Sequence, residues 1–117
     1  MAAPQITDDP LYQLLRDENV EEFNKQKAAG VTPELKGCDF RGLDLRELDA
    51  TGLDISDSYF RSADLRGIDF RKTKMEGVSF TNCKISGCYF PREISAQEVL
   101  MSLEHGTRIR YCYESAK

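Results

Sequence analysis

The fold is decided by residues 38–92, which read CDFRG LDLRE LDATG LDISD SYFRS ADLRG IDFRK TKMEG VSFTN CKISG CYFPR when divided into fives. The central position of every five is apolar: Phe40, Leu45, Ala50, Ile55, Phe60, Leu65, Phe70, Met75, Phe80, Ile85 and Phe90. An α-helix repeats every 3.6 residues or so and a β-strand about every two, so neither explains this period. A strict short repeat is typical of a solenoid, in which each unit buries its apolar face by stacking on its neighbours.

A second set of small or apolar residues lies two positions before each central residue. Its members are Cys38, Leu43, Leu48, Leu53, Ser58, Ala63, Ile68, Thr73, Val78, Cys83 and Cys88. Cysteine is a small apolar filler in such positions. The pattern therefore predicts two inward side chains in every unit of five.

These units resemble the pentapeptide-repeat family, whose units read roughly A-(D/N)-L-x-x. The resemblance covers eleven units over residues 38–92, and the degenerate PELKG at 33–37 makes twelve. It implies an all-β solenoid, a right-handed quadrilateral β-helix in which four units form one coil. About three coils are expected, with the central residue and the one two before it inward. At the strand spacing of about 4.8 Å the stack would be roughly 15 Å tall.

A coil of twenty residues predicts which side chains stack. Residues twenty apart should form columns of like chemistry, as a stacked core requires. The four columns are Phe40, Phe60 and Phe80; Leu45, Leu65 and Ile85; Ala50, Phe70 and Phe90; and Leu35, Ile55 and Met75.

The residues before the repeat predict a helical hairpin over 8–30, after a loose start at 1–7. Asp9-Pro10 is a helix start, with Asp as N-cap and Pro at the first helical position, and predicts a helix over 10–16. Asn19 followed by Glu22 predicts a second helix over 20–29 that ends at Gly30. We expect the hairpin to cover the first coil; binding a partner is the alternative for the same helices.

The residues after the repeat, 93–117, predict a second cover and a strand. Ser95 and Glu98 form a capping box before a helix over 98–104, whose apolar side is Val99, Leu100 and Leu103. Residues 107–113 then alternate as a half-buried strand does, with Ile109, Tyr111 and Tyr113 on one side. Because this apolar stripe should not face solvent, we predict a homodimer through residues 95–113; back-packing in a monomer is the alternative. The whole chain, 1–117, is expected to be one domain.

Composition restricts the classes of function. The chain has 117 residues and a net charge of −4, and residues 33–92 carry ten acidic and ten basic residues, so the repeat is neutral. A nucleic-acid partner is not expected without a basic patch. No apolar run is long enough for a membrane span and the start lacks a signal-peptide pattern, so we expect a cytoplasmic protein. One histidine and no CxxC pair predict neither a metal nor a cofactor.

Carboxylates and arginines form the most regular polar pattern of the repeat. The acids are Asp39, Asp44, Asp49, Asp54, Asp64 and Asp69, each directly before a central residue. There a short polar side chain can hydrogen-bond the turning backbone, so we expect them to be structural. Basic residues follow two positions later and stack in columns. The candidate partner-binding residues are Arg41, Arg61, Arg46, Arg66, Arg71 and Tyr59.

No catalytic motif is present, and no catalytic residue is predicted. The leading hypothesis is a non-enzymatic scaffold that binds an unknown protein partner on a flat face of the solenoid. The resemblance supplies the alternative: some pentapeptide-repeat proteins mimic duplex DNA, bind DNA gyrase and protect it from inhibitors. This chain departs from that pattern in its short length, its neutral repeat and its lack of inserted loops.

Overall fold

The computed structural model describes residues 3–113, which follow the order helical hairpin, coiled repeat, helix. The helices are α1 (Pro10–Arg16), α2 (Val20–Ala28) and α3 (Ala96–His105). Residues 114–117 of the predicted C-terminal element lie outside the described residues. The molecule measures 40 × 26 × 25 Å along its principal axes.

The repeat is held together by single parallel bridges between residues twenty apart. They are Asp39–Tyr59, Tyr59–Ser79, Asp44–Asp64, Asp64–Lys84, Asp54–Lys74 and Asp69–Tyr89. These bridges fall in four columns, which define the four sides of the coil and stack the chain every twenty residues. A turn interrupts the chain every five residues, so each side of the coil is short. Within residues 3–113 the sides therefore form single bridges and no regular strand.

The turns use left-handed backbone at the second residue after most central positions. Glycine occupies many of these positions, but Glu47, Asp57, Ser62 and Asn82 also have φ between 55° and 70°. Left-handed backbone costs a non-glycine residue free energy, so packing of the coils imposes this geometry. At Gly77 (φ 82°) an added Cβ would also lie 2.1 Å from Asp57 Oδ1, so a side chain there would have to displace that carboxylate.

Stacked aromatic rings form the middle of the core. The Phe40 and Phe60 centroids are 4.8 Å apart with nearly parallel planes, and Phe60 and Phe80 are 6.0 Å apart. Of the predicted columns, Leu45, Leu65, Ile55, Met75 and Phe70 are also buried. Ile85 and Phe90 are only half-buried, although they pack on the core, because no further coil follows them.

The inward cysteines have low reactivity because the coil buries their thiols fully or in part. Cys38 is buried, while Cys83 and Cys88 are half-buried and point their thiols at the carbonyls of Phe60 and Leu65, at 2.7 and 2.9 Å. Burial raises the pKa of the Cys38 thiol to about 11 and that of Cys83 to about 12. A thiol with so high a pKa forms little thiolate at neutral pH and is a poor nucleophile.

The N-terminal helices start where capping residues place them. Asp9 accepts hydrogen bonds from the N–H groups of Leu11 and Tyr12, each at 3.0 Å. Asn19 accepts one from Glu22 N–H at 3.2 Å, and α2 ends one residue earlier than the pattern predicted. The buried residues Leu11, Tyr12, Leu15, Val20 and Phe23 turn the hairpin toward the repeat.

The hairpin lies on the first coil. The Tyr12 ring meets Phe40 edge-on at 5.4 Å between centroids, and its hydroxyl donates to the Asp39 carbonyl at 2.7 Å. The start of the chain is more ordered than we expected. Gln5 pairs with the edge of the first coil, donating to the Gly37 carbonyl at 2.8 Å and accepting from Asp39 N–H at 2.9 Å.

Helix α3 lies on part of the last coil. Its N-cap is Ser95, which accepts from Glu98 N–H, and it ends at the left-handed Gly106. Ser102 is fully buried and accepts a hydrogen bond from Phe80 N–H at 2.8 Å. Our prediction for Leu100 was wrong: its exposed fraction is 53%, because the Ser102 contact turns the Val99 and Ser102 side of the helix inward.

The C-terminal segment packs on its own chain, as the back-packed alternative to the dimer has it. Ile109 is 1% exposed and exchanges backbone hydrogen bonds with residues 77 and 78, at 2.7 and 2.9 Å. The Tyr111 hydroxyl accepts from Met75 N–H at 2.9 Å, while Tyr113 is 74% exposed. The premise of the dimer prediction is therefore wrong for Ile109 and Tyr111. Within residues 107–113 the structure has one antiparallel bridge, Ser79–Arg108, in place of the predicted strand.

No helix among residues 3–113 combines the length and the apolar character needed to cross a membrane.

Candidate partner-binding surface

Each aspartate that directly precedes a central residue closes a turn with its own backbone. Its carboxylate accepts a hydrogen bond from the N–H two residues later, at 3.0–3.3 Å. The six acceptors are Asp39, Asp44, Asp49, Asp54, Asp64 and Asp69. The predicted turn-forming role of these carboxylates is confirmed.

Four of the candidate arginines are held by the aspartate of their own unit. Arg41, Arg46, Arg66 and Arg71 each direct Nε and one terminal nitrogen at the carboxylate two residues earlier, with the closer contact at 2.7–2.8 Å. Such a two-point contact fixes the guanidinium plane as well as its position. These arginines are therefore not available as free cations; they present the outer edge of an ion pair.

On one side of the coil the ion pairs join into a ladder, which we call the Arg46–Arg66 ladder. It consists of Asp44, Arg46, Asp64 and Arg66, because Arg46 Nε also lies 3.5 Å from the Asp64 carboxylate. The stacked aspartates Asp44 and Asp64 would repel each other if they were alone. The intervening Arg46 relieves that repulsion and alternates the sign of charge along the side.

The arginines hold the carboxylates in their charged form. Hydrogen bonds from Arg66 and Arg71 lower the pKa of Asp64 and of Asp69 to about 2. An ordinary aspartate has a pKa near 3.9. Because the folded-state pKa is lower than the unfolded one, these pairs stabilise the fold above about pH 4, and the contribution is lost as the pH falls toward about 2.

We expect Asp64 and Asp69 to make the free energy of unfolding fall as the solution becomes acidic. A chain with Asp64→Asn and Asp69→Asn should lose less stability between about pH 5 and pH 2 than the parent, because it lacks the carboxylates that become protonated. Urea unfolding at several pH values measures this, with Glu104→Gln, an exposed acid on α3, as a control. Parallel pH profiles for the parent and the double variant would contradict the prediction.

The candidate residues are spread over three sides of the coil, not one. Arg41, Arg61 and Tyr59 share the side of the Asp39–Tyr59 bridge, and Arg46 and Arg66 lie on the next. Arg71 is on a third side, where its guanidinium lies 4.4 Å from the centroid of the Tyr89 ring. The other four arginines lie two residues after an aspartate, whereas Arg61 lies two residues after Tyr59. The unit of Arg61 therefore supplies it with no carboxylate.

Tyr59 is engaged by the C-terminal segment. Arg108 lies over its ring, 5.0 Å from the centroid, hydrogen-bonds its hydroxyl, and pairs with the Asp57 carboxylate at 3.3 Å. The side that holds Tyr59 is therefore partly covered by residues from outside the repeat. Sequence reasoning missed Arg108, whose position in the alternation of residues 107–113 predicted only a solvent-facing side chain.

A groove of about 740 Å³ runs between α2 and the Arg46–Arg66 ladder. Arg46 and Arg66 line one wall, and Glu18, Glu21 and Asn24 line the other. The groove places two fixed guanidinium groups opposite acidic side chains, so its charges alternate across a short distance. Of the candidate residues, Arg46 and Arg66 are the pair that the structure brings together in a concave surface.

Several functional polar residues gave no signal in the repeat pattern. They replace the backbone of a missing coil: Asn24 donates to the Glu47 carbonyl and accepts from Asp49 N–H, both at 2.9 Å, and Glu18 accepts from Asp44 N–H at 2.6 Å. Inside, Ser58 accepts from Cys38 N–H and donates to the Leu35 carbonyl. The repeat pattern places Ser58 in the inward column but does not predict its two hydrogen bonds. No feature of the sequence indicates that Asn24 or Glu18 contacts the first coil.

Residues 3–113 hold no group of three or more His, Cys, Asp or Glu side chains arranged to bind a metal ion.

Comparison with known proteins finds one match. A family model described as pentapeptide repeats matches residues 54–90 in eight copies. No curated protein and no solved structure matches the chain significantly. The matched residues belong to the second and third coils, and the parallel bridges from Asp39 and Asp44 continue the same stacking into the first.

Proposed function

We propose that this chain, whose residues 54–90 match the pentapeptide-repeat family model, is a scaffold without enzymatic activity that holds a protein partner on one flat side. Proteins built from such repeats generally serve as structural or binding proteins. The observation that carries the proposal is the Arg46–Arg66 ladder beside its groove. Its guanidinium groups are fixed before a partner arrives, so docking costs little side-chain entropy.

The architecture is part of the same proposal. Pentapeptide repeats generally form a right-handed β-helix, and we infer that hand for the three coils here. We also infer that α1, α2 and α3 cap the solenoid, that residues 1–117 form one domain, and that the protein is cytoplasmic. Cys38, Cys83 and Cys88 form no disulfide within residues 3–113, which supports a reducing compartment.

A pair of substitutions tests the binding surface. With Arg46→Gln and Arg66→Gln, capture of the partner from an extract of the source cells should fall about tenfold or more, since arginine is frequent among residues that dominate binding energy. Quantitative pull-down with the immobilised chain measures this. Thermal unfolding should change little, because exposed ion pairs contribute only about 0–1 kcal/mol each.

The matched control is Lys36→Gln with Lys74→Gln, which removes the same charge from a side without such a ladder. It should retain capture. Equal capture by the ladder variant, the control and the parent would contradict the proposal and return the arginines to a purely structural role.

The second candidate function is mimicry of duplex DNA, by which the protein would bind DNA gyrase and protect it from inhibitors. Mimicry of duplex DNA requires a strongly negative surface, whereas the repeat is neutral and its aspartates are paired with arginines. Supercoiling by purified gyrase, with increasing amounts of the protein, tests it directly. No effect at micromolar protein would remove this function.

The homodimer through residues 95–113 stays a prediction. Of its three residues, Tyr113 alone remains largely exposed.

A further inference from the structure

The two ends of the solenoid are not closed equally. At the start, residues from outside the repeat form hydrogen bonds with the first coil on three of its sides. These residues are Gln5, Glu18 and Asn24. At the other end, α3 and the C-terminal segment bond Gly77, Phe80 and Asn82 of the last coil. Residues 83–90, on the next two sides, receive no such cover from residues 3–113.

The uncovered part of the last coil is a backbone edge, which we call the 83–90 edge. In earlier coils the N–H groups of Leu65, Gly67 and Phe70 donate to the coil that follows. The corresponding N–H groups of Ile85, Gly87 and Phe90 donate to no described residue, and the carbonyls of Cys83 and Cys88 accept from none. These are the groups that a following coil would pair with, and they lie on two sides that meet at the left-handed Gly87 turn, so an occupant must bend there.

The side chains along the same edge are apolar and incompletely covered. Ile85, Cys88 and Phe90 are half-buried, and Tyr89 is 57% exposed. Leu100 and Met101, on the outer side of α3 at this end of the molecule, are 53% and 40% exposed. An added extended segment could therefore bury apolar surface and satisfy backbone groups at once.

The chain itself shows how such an edge is filled. Gln5 makes a parallel bridge with Cys38 at the first coil, and residues 108 and 109 pair with residues 78 and 79 at the last. In both places a short extended segment from outside the repeat takes the position of the next coil. The 83–90 edge presents the same backbone pattern without an occupant from residues 3–113.

Charge selects the kind of occupant. Residues 81–92 carry Lys84 and Arg92, both exposed, and no acidic residue, and Glu93, the next acid along the chain, is half-buried. Of the acids on α3, Glu98 is paired with Arg110 at 2.6 Å, and Glu104 is exposed. A second copy of this chain paired through the same edge would bring like charges together, whereas acidic side chains would be complementary.

From this edge we propose a docking site for an extended, acidic and apolar segment of a partner protein, which pairs with residues 83–90 by strand addition. Main-chain hydrogen bonds supply affinity in this mode, and alternate side chains supply specificity. The site is separate from the Arg46–Arg66 ladder and does not depend on it.

Amide hydrogen exchange on the full-length chain tests the proposal, with an octapeptide alternating valine and glutamate as the probe. At a peptide concentration of about ten times its Kd, exchange at Ile85, Gly87 and Phe90 should slow about tenfold. The N–H of Phe80, already bonded to Ser102, is the internal control and should not change. A peptide of valine and lysine, and a backbone N-methylated version of the acidic peptide, should protect far less.

Lys84→Glu with Arg92→Glu should reverse the preference between the acidic and basic peptides, while Lys36→Glu with Lys74→Glu should leave it unchanged. Arg46→Gln with Arg66→Gln should also leave it unchanged, which separates this site from the proposed flat-side function. No protection at the three amides by millimolar acidic peptide, or equal protection by both peptides, would overturn the proposal. So would protection that rises with protein concentration alone, together with a doubled mass in light scattering, since a second copy would then cover the edge.

Discussion

Phe60→Ala should cost about 3–5 kcal/mol of the free energy of unfolding. The Phe60 ring is buried and stacks between Phe40 and Phe80, with centroid distances of 4.8 and 6.0 Å. Truncation leaves a cavity in the middle coil that neither neighbouring coil can fill, because backbone hydrogen bonds fix the spacing of the coils. Small domains have only about 5–15 kcal/mol of stability, so the variant should be close to unfolded at 37 °C.

Urea titration of Phe60→Ala beside Asp54→Ala measures this effect. Asp54 points outward and accepts one hydrogen bond from Ser56 N–H, so its loss should cost about 1 kcal/mol or less. If the two variants unfolded at the same urea concentration, the inward register of the repeat would be wrong.

Tyr12→Ala should be nearly as damaging, although Tyr12 lies outside the repeat. Its side chain is fully buried, meets Phe40 edge-on and donates a hydrogen bond to the Asp39 carbonyl at 2.7 Å. Removing a buried aromatic ring of this kind costs about 3–5 kcal/mol. The first coil would also lose the group that closes its edge.

The comparison with Tyr12→Phe separates packing from hydrogen bonding. That variant keeps the ring and should lose about 1–2 kcal/mol, because the Asp39 carbonyl loses a buried donor. Denaturant unfolding followed by circular dichroism measures both variants. If Tyr12→Ala unfolded like the parent, α1 would be an independent attachment and not part of the folded unit.

A large part of the fold could be predicted because it is periodic. The period of five places Phe40, Phe60 and Phe80 in one column, and the aspartates before the central residues form the turns. The helix starts could also be predicted from the sequence. Asp9, Asn19 and Ser95 are short polar N-cap residues that accept hydrogen bonds from N–H groups two or three residues later. In each case the signal is local or repeats at a fixed spacing.

The candidate site was predictable in composition but not in arrangement. The pattern indicated stacked arginine columns, yet the structure pairs Arg41, Arg46, Arg66 and Arg71 with carboxylates of their own units. The choice of partner depends on side-chain rotamers at a bent backbone, which the spacing of residues does not specify. The groove beside the Arg46–Arg66 ladder depends in addition on where α2 docks.

By itself, the sequence determined the coiled repeat, its inward columns and the positions of the helices, because each follows from a repeated or local physical preference. The tertiary structure alone decided how the ends of the solenoid are closed. It sends Ile109 back onto its own chain, uses Ser102 and Asn24 in place of backbone, and leaves the 83–90 edge without an occupant from residues 3–113. These contacts join residues far apart in the chain that share no period, so only the docking of the non-repetitive segments on the coils could establish them.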